Sequence, residues 1–249
     1  MASALRVRDR RSSRGIAWLA GGWSLFKGRP IAWIAMGTGW MAITLGLLVV
    51  PLVGGVVANL LQPVFFASFA LAAAKQAAGG PVEVGDLFAG FQRPLKPLIN
   101  LGAILLVAEI GIFALLALLG LPGLETKEGQ GPNLAEFARQ LQGREWILVV
   151  GVALTAVVKG ALWFAPALLA FHELTTAHAL RWSVYAALSN LGAMLVYGVA
   201  LTLAFAVGIL PWGLGLLVVI PVMLASTWAG YADVFEDEGE GEGETPTPA

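Results

Sequence analysis

No cysteine occurs anywhere in the 249 residues. Disulfides, thiolate nucleophiles and cysteine-based metal or haem sites are therefore excluded. Charge is scarce: 12% of the residues are charged, against about 25% in a typical soluble domain. What charge there is lies at the two ends. Five arginines fall between Arg6 and Arg14, and six acids between Glu236 and Glu244, so the net charge of −1 carries little information. Catalytic motifs are missing as well. There is no Gly-x-Ser-x-Gly elbow, no phosphate loop and no dinucleotide fingerprint. His172 and His178 are six residues apart, about 240° around a helix, whereas a helical zinc pair needs i and i+4. No metal, no cofactor and no enzymatic activity are expected. A cleaved signal peptide is not expected either, because the apolar run after the basic start is too long and lacks a small-residue cleavage site.

What is present is apolar length. Between Ile31 and Ala74 lie 44 residues without a charge, and between Trp182 and Ala232 lie 51. As one helix the first run would be about 66 Å long, while a bilayer core is about 30 Å thick. Each run must cross, turn and return. The fold class read from this is all-α: a polytopic bundle of six spans at roughly 31–50, 52–74, 98–121, 147–171, 191–210 and 212–232. Pro51 with Gly54 and Gly55 marks the first hairpin turn, and Pro211-Trp212-Gly213 the last.

Lysine and arginine set the orientation. With a cytoplasmic N-terminus, eleven of them fall in inside segments, among them Lys27, Arg29, Lys75, Arg93, Lys96 and Arg181. The outside loop 122–146 holds three: Lys127, Arg139 and Arg144. The expected localisation is the bacterial inner membrane, multi-pass, with both termini cytoplasmic.

The spans pair into repeats. Pro63-Val64-Phe65-Phe66-Ala67-Ser68 in span two matches Pro221-Val222-Met223-Leu224-Ala225-Ser226 in span six, and Pro166-Ala167-Leu168-Leu169-Ala170-Phe171 is a weaker copy in span four. Asn100-Leu101-Gly102-Ala103 opens span three as Asn190-Leu191-Gly192-Ala193 opens span five. A short amphipathic segment precedes each outgoing span. Val84, Leu87, Phe88 and Phe91 share one face in the second segment, and Leu180, Val184 and Leu188 in the third. The first carries Trp18, Trp23, Leu25 and Phe26. Three hairpin units follow, 15–75, 82–172 and 174–232, each with a cytoplasmic-side interfacial helix whose cations can meet anionic lipid. Around this 15–235 membrane domain lie a basic arm, 1–14, and an acidic tail, 236–249, whose composition predicts disorder. The arm is a topology signal and a lipid contact, and nucleic acid is not needed to explain it. In the outside loop, Asn133 and Glu136 have capping-box spacing ahead of a short helix.

Two charges fall at mid-span, Glu109 and Lys159. A charge at a span centre costs about 2.5–3.5 kcal/mol on insertion scales. The two spans run antiparallel in one hairpin, so their centres meet at similar depth and an ion pair lowers both costs. A relay for protons or ions is the functional reading, and a register-fixing pair the structural one. Asn59 and Gln62 are neutral relay candidates. Thr38, Thr44, Ser68 and Ser226 read as bonded to their own helix backbone. Pro63, Pro166 and Pro221 would each free a carbonyl and kink their span, or open a lined cavity. The interfacial motif residues are Asp86, Phe88, Arg93, Asn100, Arg181, Ser183 and Asn190.

Gly22-Trp23-x-Leu25-Phe26-x-x-x-Pro30-x-x-Trp33 resembles the N-terminal signature of a family of uncharacterised proteobacterial six-helix integral membrane proteins. Asp86-Leu87-Phe88-x-Gly90-Phe91 and Ser183-x6-Asn190 resemble its middle and late motifs. The likeness covers about 15 to 235. There is also a distant similarity to the membrane domain attached to some glycerophosphodiester phosphodiesterases, without their catalytic domain. The resemblance implies a six-helix membrane fold and brings no activity with it. The expected function is non-enzymatic: membrane-organising, or accessory to another membrane protein. Its expected partners are membrane lipids, another membrane protein or a second copy. The alternatives are a small transporter or channel using Glu109 and Lys159, and a lipid-active enzyme using Asp86, Glu173, His172 or His178.

Overall fold

The computed structural model describes residues 6–123 and 133–235. The acidic tail and residues 124–132 of the outside loop lie outside them. Ten α-helices and one 3-10 helix make up the described elements. They are α1 (Arg14–Gly28), α2 (Pro30–Leu48), α3 (Val53–Ala77), the 3-10 helix (Val84–Gln92), α4 (Leu95–Leu118), α5 (Leu134–Leu141), α6 (Trp146–Ala161), α7 (Ala165–Phe171), α8 (Thr176–Ser189), α9 (Leu191–Ile209) and α10 (Leu216–Phe235). Six segments are long and apolar enough to cross a membrane: α2, α3, α4, the α6–α7 pair, α9 and α10. The fold is all-α with six candidate membrane spans.

Local sequence explains the boundaries. Pro30 opens α2 at a first-turn position, where a missing N–H costs nothing. Thr175 caps α8 by accepting from the His178 N–H. Asn133 caps α5 by accepting from the Glu136 N–H at 3.1 Å. At the α2–α3 turn Leu52 sits at φ 64°, and at the α9–α10 turn Trp212 sits at φ 56°. Both follow a proline, both are more than nine-tenths exposed, and both adopt a backbone that bulky residues rarely take. Gly54 lets the first turn close, since a Cβ there would fall 1.7 Å from the Leu47 carbonyl oxygen.

The returning segments form the centre. α3 touches both α7 and α10. The apolar windows of α3 and α10 are 50% and 56% buried, against 17% to 22% for α2, α4 and α9, which therefore lie outside. Lipid tails are as apolar as leucine, so helices in a bilayer gain by close packing through small residues. That is how the short helices attach. Gly22 of α1 lies against Val222 and Ser226, where a Cβ would come within 2.5 Å of the Val222 oxygen. Gly90 of the 3-10 helix lies against Val64 and Ser68, with 2.2 Å to the Val64 oxygen. Each short helix packs on the returning segment of the hairpin before it. The 3-10 helix packs on α3, α8 on α7, and α1 on α10, which joins the first hairpin to the last.

The three span prolines take two settings. Pro63 and Pro221 lie inside α3 and α10, which continue through them as helix. Only near Pro166 is a span interrupted, at 162–164, where Pro166 opens α7 instead of kinking a continuous helix. Ser183 repairs this break. Its hydroxyl accepts from the Phe164 N–H at 3.1 Å and donates to the Ala161 carbonyl at 2.8 Å. On α8 the buried residues are Ala179, Ser183, Ala186 and Ala187, whose small side chains allow close approach. Of the expected apolar stripe, Leu180 packs against the core while Val184 and Leu188 are exposed.

Candidate functional site

Glu109 and Lys159 meet. The Lys159 ammonium donates to Glu109 Oε1 at 2.7 Å. Glu109 is in the fourth turn of α4, and Lys159 is in the last turn of α6. There the open carbonyls of a helix C-terminus favour a cation. The break at 162–164 is what puts a helix end beside Lys159. The pair is not sealed in the core. Its side chains are 43% (Lys159) and 28% (Glu109) exposed, at the head of a groove of about 730 Å³ between α4 and α6. Ile112, Phe113, Leu116, Leu148 and Val152 line it, and Thr155 adds a hydroxyl beside the pair. Glu109 and Lys159 make no other hydrogen bond among the described residues.

Among the described residues no hydrogen bond links the relay candidates Asn59 and Gln62 to the pair. Asn59 donates to its own helix at the Gly55 carbonyl. Thr38, Thr44, Ser68 and Ser226 bond to carbonyls three or four residues back. Ser68 also accepts from the Gly90 N–H, and Ser226 also bonds the Tyr197 hydroxyl at 2.6 Å.

The interfacial motif residues do several different things. Asp86 accepts from the Glu83 N–H in a capping box and pairs with Lys75 at 3.0 Å. Phe88 stacks edge-on with Phe65 and is half exposed. Arg93, Asn100 and Arg181 are exposed. Asn100 and Asn190, matched in sequence, part ways. Asn190 is buried and holds the N-terminal arm: its side chain accepts from the Arg10 N–H at 2.8 Å and donates to the Arg8 carbonyl at 2.9 Å. His172 Nε2 lies 2.8 Å from the Tyr231 hydroxyl, and burial pulls its pKa below the usual histidine value. Among the described residues no group of three His, Cys, Asp or Glu side chains could hold a metal ion.

Asp233 is the main polar residue that the sequence did not single out. It is buried near the end of α10. Its carboxylate accepts from Arg14 Nε at 3.0 Å, from Arg14 Nη2, and from Trp18 Nε1 at 2.7 Å. Arg10 Nε donates to the Asp233 carbonyl oxygen and lies 3.3 Å from its carboxylate. The Arg8 N–H donates to the Val234 carbonyl. The basic arm is thus fastened from residue 8 onward to the last helix. The available signal was one acid immediately after an uncharged run, in a chain whose opposite end is a run of arginines.

No family model matches the chain, and no solved structure does. No match links it to the glycerophosphodiester phosphodiesterases. A protein of Burkholderia thailandensis described as a probable inner membrane protein is 31% identical over 222 residues, which span 86% of this chain and 80% of that protein. Identity over most of both chains, together with six helices fit to cross a bilayer, makes this chain a member of the family of that inner membrane protein.

Proposed function

We propose that this inner membrane protein is non-enzymatic and acts sideways, within the plane of the bilayer, as an organiser of lipid or an accessory to another membrane protein. The groove between α4 and α6 is its working surface. The observation that supports this is the direction in which the Glu109–Lys159 pair faces. It opens outward between two peripheral helices, whereas a relay needs polar groups in series through the bundle. A charge pair kept at membrane depth on an outer face costs insertion energy, and an occupant in the bilayer gives that cost a use.

Both termini are proposed to be cytoplasmic, with exposed Lys27, Arg29, Arg93, Lys96 and Arg181 toward anionic headgroups. The test pairs a photoreactive residue at Val152 in native membranes with flux assays in proteoliposomes. Crosslinks from the groove to lipid or to another membrane protein, with no proton or ion flux, are the expected result. Flux that disappears in Glu109→Gln would replace this reading with the transporter.

A further inference from the structure

Resting on that lateral reading, we infer that the α4–α6 groove binds a single-chain or isoprenoid lipid whose head is one uncharged O–H group, an alcohol or a protonated carboxylic acid. The hydrogen bonding of the Glu109–Lys159 pair is incomplete. An ammonium has three donors and a carboxylate about four acceptor sites, and the pair uses one of each among the described residues. In hydrocarbon, open donors and acceptors are costly. An O–H head answers both at once, with its oxygen accepting from Lys159 and its proton going to the free Glu109 oxygen. Thr155 lies beside that point.

Size and shape select the rest of the molecule. A volume of about 730 Å³ with apolar walls and polar groups at one end has the build of a small-molecule site. From Lys159 to Leu148 the groove follows α6 for roughly 16 Å, enough for an extended chain. The two helices close the floor of the groove. Packed helices stand about 8–10 Å apart, and α6 meets α4 closely at Gly151, where a Cβ would lie 2.8 Å from Leu116. Position selects the head. The pair is deep in the span while the apolar walls run toward the far surface, so a bound lipid carries its head inward and its tail outward. A phosphate head would be charged at that depth, which is prohibitive. A hydroxyl or protonated acid can reach it.

The test uses the full chain in nanodiscs with a diazirine-bearing hexadecanol, followed by peptide mapping. Labelling is expected on α4 and α6, displaced by 1-hexadecanol, by palmitic acid at acidic pH, or by both, which tells the alcohol source from the acid. Phosphatidylglycerol is expected to compete at least about tenfold less well. Thr155→Phe, which fills the groove and leaves the pair intact, should weaken labelling at least about tenfold. The swap of Glu109→Lys with Lys159→Glu should keep it, and melting curves confirm that each variant is folded. Labelling that is absent, spread over all helices, equally displaced by phosphatidylglycerol or untouched by Thr155→Phe overturns the inference. Two chains per disc, separated by Thr155→Phe, would overturn it too and make the occupant a second copy, leaving the lateral reading standing. Only flux in proteoliposomes removes both.

Discussion

Glu109 and Lys159 stand fifty residues apart in the chain and 2.7 Å apart in space, with both charges half turned toward the outside of the bundle. Removing one partner strands the other at membrane depth. Glu109→Leu and Lys159→Met are each expected to lower stability by about 2–3 kcal/mol. The double variant Glu109→Leu with Lys159→Met should cost less than either, because apolar replacement removes both desolvation penalties. Melting in nanodiscs across the double-mutant cycle measures this, and additive losses would mean the two charges do not act as a pair.

Asp233→Asn takes the carboxylate from Arg10, Arg14 and Trp18 together. Breaking a buried pair from one side costs about 3–5 kcal/mol. The N-terminal arm should become open to trypsin well before the bundle melts, while Ser13→Ala, at an exposed position that keeps every cleavage site, should leave cleavage unchanged. Equal digestion of wild type and Asp233→Asn would rule out the fastening role.

How much of this could be read from sequence depends on the kind of contact. Glu109 and Lys159 were legible because a hairpin fixes depth: two arms of similar length bring mid-span residues to the same level. Asp233 was not, because its partners lie 219 and 223 residues away and nothing periodic links the two ends. It read as the boundary of an apolar run. Ser183 stood out as a motif residue, yet its role depends on where span four breaks, and no spacing tells that Pro166 opens a helix while Pro63 and Pro221 lie inside one. The α8 stripe shows a limit of periodicity. Spacing says that Leu180, Val184 and Leu188 share a face, but not that Leu180 meets the core while Val184 and Leu188 are exposed and the small residues pack.

Ser183→Ala should leave the Phe164 N–H without its acceptor. An orphaned buried donor costs about 1–3 kcal/mol. Ser183→Thr keeps the hydroxyl, so it should retain more stability than alanine. Thermal unfolding of the two variants side by side decides it, and an alanine variant as stable as wild type would show that the break is satisfied some other way.

The pH response follows from His172. Burial lowers its folded pKa, so the unfolded chain takes up the proton first. Stability is therefore full above the ordinary histidine value of about 6.5 and declines as pH falls from there through the lowered folded value. His172→Gln should flatten that slope while keeping a polar group near Tyr231. A melting temperature that falls equally in both proteins below neutral pH would exclude His172 as the source.

Topology has a direct reading. A fluorescent protein fused after Ala249 should fold and fluoresce, and alkaline phosphatase inserted at Glu128 should be active. The opposite pair of results would invert the bundle.

The fastening of Arg8, Arg10 and Arg14 to Asp233 and Val234 also bears on synthesis. Residues 8–14 are made before the six described spans, and their anchor lies in the sixth of these. Until α10 is made, α1 lacks the helix it packs on. The docking of α1 and the arm is thus a late event, which waits for Asp233. A protein truncated before Leu216 would carry five spans and an arm without the helix it docks on, a ready mark by which such a copy differs from one that has α10.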